Sequence, residues 1–122
     1  MADEITTTFS LTYAKGESRL SIPGKQLQVD SASYPKISNT QTVGTTHEAL
    51  VLGDVTNCGA AYFVNTDPTN YVDIGVDVGG TFYGLIRLMP GDFAFAPRLA
   101  TNAPYAKANT ASVSLDYTIF SQ

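Results

Sequence analysis

Tryptophan is absent from this chain of 122 residues, and cysteine and histidine occur once each, as Cys58 and His47. One cysteine excludes an internal disulfide. One Cys and one His cannot fill the four positions of a zinc site. Cys58 lies in Thr56-Asn57-Cys58-Gly59 and is expected to be a small buried apolar residue, not a nucleophile. Charge is also scarce: Asp, Glu, Lys and Arg make up 15% of the chain, against about 25% in an average domain. Thr, Ser, Asn and Gly take their place, and a surface of that kind tolerates lying against another protein. The seven basic residues are scattered and the net charge is −4, which argues against a nucleic-acid interface.

Long hydrophobic runs are missing too. No segment approaches the roughly 18 apolar residues that cross a bilayer as a helix, so no membrane partner is expected. The start, Met-Ala-Asp-Glu, has neither the basic nor the apolar region of a signal peptide, and no glycine for myristoylation. The expectation is synthesis in, and initial retention by, the cytoplasm of the producing cell. No segment holds a helical period.

What is present is alternation. Ile5, Thr7, Phe9, Leu11 and Tyr13 alternate with Thr and Ser, as do Val113, Leu115, Tyr117 and Ile119 near the other end. A period of two means a half-buried strand. Between them, apolar runs rich in β-branched and aromatic residues are cut by Pro23-Gly24, Asp67-Pro68-Thr69-Asn70, Gly79-Gly80 and Pro90-Gly91. Glu48–Leu52 reads as a strand or one helical turn, with strand preferred because the run is too short for a stable helix, and residues 30–46 as a long polar loop or weak edge strand. The chain is therefore expected to be all-β, one antiparallel sandwich over residues 1–122, jelly-roll-like, with about eight or nine short strands. The first and last strands could pair, and Tyr13 and Tyr117 are assigned to the core.

Catalytic patterns fail one by one. His47 beside Glu48 would point to the opposite face of a strand, so the two cannot cooperate there. No G-x-S-x-G, H-E-x-x-H or Walker sequence occurs, and Gly79-Gly80 lacks the helix of a phosphate cradle. Asp54, Asp67, Asn70, Asp73 and Asp77 are hard oxygen ligands, but EF-hand spacing is absent. Asp73 and Asp77 on one strand would be about 13 Å apart. Asp67 and Asn70 are expected to cap their own turn. No enzyme, cofactor or metal is expected.

The segments THEALVLGDV (46–55 in outline), NTDPTNYVDIGVD, GTFYGLIRLMPGDFAF and YAKANTASVSLDYTI carry a resemblance. Over about the last two-thirds of the chain they resemble the small β-sandwich structural proteins of tailed bacteriophages. The resemblance implies a capsid decoration (cement) protein or related virion component. It would bind the outer surface of the major capsid protein lattice, stabilise the head, and assemble as a homotrimer or other homo-oligomer. No family contact residue is carried over. The contact residues chosen from the sequence are the N-terminal Ala2, Asp3 and Glu4, then Tyr34, Pro35, Lys36 and Asn39 of the polar stretch, and His47. Rival readings are a tail or neck protein on the same fold, and a carbohydrate- or host-surface-binding module using Tyr83 or Tyr105. A small hydrolase is the third, weakened by the lack of a nucleophile–base pair.

Overall fold

The computed structural model describes residues 4–31 and 34–122 and contains no helix among them. The chain divides into two compact units, Met1–Ser31 and Ala32–Gln122. The sequence expectation of one sandwich from end to end gives way here to a separate N-terminal element.

The first unit is a long hairpin of β1 (Ile5–Lys15) and β2 (Ser18–Val29). Lys15 pairs with Ser18, and Gly16 turns the chain at φ 57°. Pairing runs from Ile5 opposite Val29 to the turn, with a shift between Phe9 and Leu11 where Pro23-Gly24 stands on the other strand. Proline cannot donate to the ladder, and a bulge accommodates it. Glu4 closes the open end by accepting the Ser31 amide at 2.9 Å.

The second unit is an antiparallel β-sandwich of two four-stranded sheets. β3 (Lys36–Val43), β10 (Val113–Ser121), β5 (Cys58–Asn65) and β8 (Phe93–Ala96) lie in that order in one. β4 (Glu48–Ala49), β9 (Tyr105–Ala108), β6 (Val72–Val78) and β7 (Thr81–Leu88) form the other. The core draws on both: Phe63, Leu115, Tyr117 and Ile119 pack with Val72, Ile74, Leu88 and Ala106. β10 shows the cause in its sequence, since every second residue from Val113 to Ser121 is buried. Gly79 and Gly80, both at positive φ, make the tight β6–β7 turn that Gly-Gly predicts.

Three sequence expectations need correction. β1 pairs with β2 alone, while β10 lies between β3 and β5, so first and last strands do not meet. Tyr117 is buried at 2%, but Tyr13, with the same alternation, is 45% exposed. Only Glu48–Ala49 of the 48–52 run pairs as a strand. Beyond it the Leu50 amide bonds to the Pro104 carbonyl, and Val51 takes Gln41 Oε1, so the ladder ends there.

Tyr117 shows how polar groups enter the core. Its hydroxyl donates to the Val51 carbonyl at 2.6 Å, lies 3.0 Å from Gln41 Oε1, and accepts from Asn39 Nδ2 at 3.1 Å. Burial pushes its phenol pKa up. Cys58 is 1% exposed and burial raises its pKa as well. A thiol reagent is therefore expected to leave the native protein unlabelled and to modify Cys58 only after unfolding, read by mass shift with and without denaturant.

Candidate binding surfaces

The outer face of the second sheet collects the polar chemistry. β6 turns Asp73, Gly75 and Asp77 outward, β7 sets Arg87 opposite Asp73 and Phe82 opposite Asp77, and β9 sets Lys107 and Tyr105 beside Asp73 and Gly75. Arg87 holds Asp73 with two bonds, Nε–Oδ1 at 2.8 Å and Nη2–Oδ2 at 3.1 Å, and its guanidinium lies 4.0 Å above the Tyr71 ring. The Asp73 bond raises the Arg87 pKa. Gly84, opposite Gly75, leaves a floor. The result is a depression of about 240 Å³ walled by Tyr71, Asp73, Phe82, Arg87, Lys107 and Asn109.

His47 reaches this face from the segment before β4. Its Nε2 is 2.8 Å from Asp77 Oδ2, and its ring lies 5.6 Å from Phe82 and 5.7 Å from Tyr105. The Gly80 amide donates to the other oxygen of Asp77 at 2.8 Å. That amide, and then His47, hold the Asp77 carboxyl below its ordinary 3.8. A lowered folded pKa means stability that is complete above the unfolded value and lost as pH falls through the folded one. Asp77→Asn is thus expected to lower the melting temperature at about pH 6 and to differ little from the parent at about pH 2, by paired thermal melts. Chemically, Asp73 is engaged by Arg87 and Asp77 by His47 and the Gly80 amide, while the exposed Lys107 lines the depression and is open to a polar ligand.

The turn after β5 is organised by Asn65, which the sequence reading passed over. It is fully buried. Its Nδ2 donates to the carbonyls of Asn70 and Leu88, both at 2.9 Å, and its Oδ1 accepts the Asp67 amide at 2.9 Å. Asp67 in turn accepts the Thr69 and Asn70 amides at 3.0 and 2.7 Å, the turn-capping role expected of it. A polar residue closing an apolar strand before a Pro-containing turn was the available signal.

The contact residues chosen from the sequence do not share one surface. Ala2 and Asp3 lie outside the described residues. Glu4 is engaged with Ser31 in the hairpin. Tyr34 is wholly exposed, and Lys36 opens edge strand β3 opposite Phe120. Pro35 is half-buried and accepts the Ser121 amide through its carbonyl. Asn39 turns inward to Tyr117. His47 belongs to the other sheet, with Asp77. Tyr34 and Lys36 remain sterically open to a partner.

Apolar side chains are also exposed on both units. Register places Ile5, Phe9, Leu11 and Tyr13 on the same hairpin face as Leu20, Ile22, Leu27 and Val29. Phe9 is 54% exposed and Leu20 52%, and Leu11, Tyr13 and Leu27 are exposed too. On the sandwich, β7 is an edge strand that exposes Tyr83, Leu85 and Ile86. Beside it an apolar groove of about 190 Å³ opens between Ile74, Val76, Leu85, Ile86, Leu99 and Pro104.

Comparison with protein-family models, with curated proteins and with solved structures gives no match for this chain.

Proposed function

We propose that this chain is an assembly protein of a tailed-phage virion, a capsid decoration protein that binds the outer surface of the major capsid lattice and stabilises the head. One observation carries the assembly role: the hairpin presents an apolar face with Phe9, Leu11, Tyr13, Leu20 and Leu27 exposed along it. A two-stranded hairpin is at best marginally stable in water by itself. Covering a large apolar side chain is worth about 1.5–3 kcal/mol, so a protein that covers this face stabilises the arm and gains affinity together. The virion assignment is supported by the resemblance of the 46–122 strand and turn pattern to phage structural proteins. Used in many copies, such an arm turns modest affinity into strong retention. Low charge lowers the desolvation cost of burying a face.

The test uses purified expanded heads with and without the full chain. Co-sedimentation and greater heat resistance of the heads are expected. Leu20→Asn with Leu27→Asn, both at exposed positions, is expected to abolish co-sedimentation. Heads that neither bind the protein nor gain heat resistance would remove the proposal.

A second reading, a glycan-binding module, is favoured by the depression beside Tyr71, Phe82 and Lys107, with Tyr105 and the His47–Asp77 pair next to it. It predicts signal on a glycan array that Gly84→Leu, which fills the floor, would abolish. An array without signal would end it.

A further inference from the structure

Edge strands are sites where another chain can add, and most proteins blunt them with charge, proline or shortness. Most edges of this molecule are blunted. β2 is interrupted at Pro23 and carries Arg19 and Lys25; β8 has four residues and β4 two. β3 is long, but its exposed side chains, Lys36, Ser38, Thr40 and Thr42, are polar. Two edges lack these devices. β1 has neither charge nor proline from Ile5 to Ala14, and β7 has neither from Thr81 to Ile86. β7 does contain a bulge between its Gly84 and Ile86 pairings, yet the residue it displays is Leu85, 74% exposed, and not a charge.

The two open edges also match in polarity. β1 belongs to an element whose apolar face is open at Phe9, Leu11, Tyr13, Leu20 and Leu27, and β7 borders the apolar groove at Ile74, Val76 and Leu99. Two hairpins stacked face to face would instead bring like charges together. Their apolar face carries Lys25 opposite Phe9 and Lys15 at the tip, with no carboxylate among its described residues.

We infer that the hairpin of one copy adds through β1 to edge β7 of a second copy, extending that sheet from four strands to six, with its apolar face over the groove. This rests on the assembly role proposed above and names the first partner as another copy of this chain. The area agrees. Eleven residues of β1 extend about 36 Å, and two strands make a face about 10 Å wide, so one face covers about 400 Å². Counting both partners, one contact buries about 800 Å², the scale of a weak lattice contact, whereas two contacts per copy reach the roughly 1,600 Å² of a stable interface. Each copy therefore gives one arm and receives one, in a closed ring whose smallest form is a two-fold dimer. Strand addition supplies main-chain hydrogen bonds along the new ladder, and the groove supplies side-chain fit.

The test is the mass of the purified full chain by light scattering, without any heads present. A multiple of 13.0 kDa is expected. Leu85→Arg places a charge on the receiving edge at an exposed position and is expected to reduce the mass to a single chain, while Val51→Arg, also at an exposed position, leaves the oligomer intact. Mixing a Leu11→Cys chain with a Leu85→Cys chain and adding a short bismaleimide should give a mixed cross-linked dimer. Several results would overturn the inference: a single-chain mass for the parent, an oligomer that survives Leu85→Arg, Leu11→Cys chains that link only to each other, or a double variant that links within one chain. A single-chain protein that still binds heads would refute this inference and leave the decoration role standing.

Discussion

Asn65→Leu is expected to destabilise the sandwich by about 3 kcal/mol, because it strands the groups that this one amide satisfies. The Leu88 carbonyl ends β7, the Asn70 carbonyl ends the turn, and the Asp67 amide begins it; all three turn to Asn65 at 2.9 Å. The Asn65 backbone adds two more ties, its amide to the Asp92 carbonyl and its carbonyl to the Gly91 amide. A leucine of similar size fills the space and meets none of the side-chain bonds. Asn65→Asp separates size from chemistry. It retains the acceptor for the Asp67 amide but sets an ionised oxygen against two carbonyls, so burial and repulsion raise its folded pKa. A raised carboxyl pKa means a penalty that is largest at neutral pH and relieved as pH falls and the acid becomes a donor. Thermal melts across pH should show Asn65→Asp recovering toward acid and Asn65→Leu running parallel to the parent.

Gly75→Ala is expected to cost about 3 kcal/mol or more, since the obstacle is backbone. A Cβ at Gly75 would sit 1.9 Å from the Tyr83 carbonyl oxygen, 2.8 Å from its carbon and 2.9 Å from Gly84 Cα. β7 would have to leave β6 at the bulge between the Gly75–Gly84 and Ile74–Ile86 pairs. Gly84→Ala is the matched control across the strand. Its Cβ would meet Asp73 Cβ and Phe82 Cε2 at 3.4 Å, an ordinary contact, and φ there is not in the left-handed region. Urea unfolding should place Gly84→Ala within about 1 kcal/mol of the parent and Gly75→Ala far below it.

The contrast between Tyr13 and Tyr117 shows how far alternation can be read. Both stand in strands of period two with apolar residues on one side. Period two identifies the apolar face of a strand but carries no information on what covers it. β10 lies between two strands and under a second sheet, so Tyr117 is buried; β1 has only β2 beside it, so Tyr13 is exposed. Turn chemistry was legible where it is local, as in Gly79-Gly80 and the Asp67 cap; the Asn70 side chain, expected to cap the same turn, instead accepts from the Thr110 hydroxyl at 3.0 Å. The outer-face cluster was not. His47 is 30 residues from Asp77, and Arg87 is 14 from Asp73, so their pairing depends on register. Asn39 looked like an exposed residue in a polar stretch, yet its side chain serves the Tyr117 hydroxyl on the inner side of β3.

The central claim is that the N-terminal hairpin requires cover from another chain. Amide hydrogen exchange on the full-length protein, diluted until its mass is that of one chain and then again in the assembled state, addresses it directly. In the single chain, amides of residues 5–29 should exchange nearly as fast as an unfolded peptide while those of β5 and β10 stay slow, and assembly should slow the hairpin by about 100-fold or more. A hairpin as protected as β10 in the isolated single chain would contradict the account.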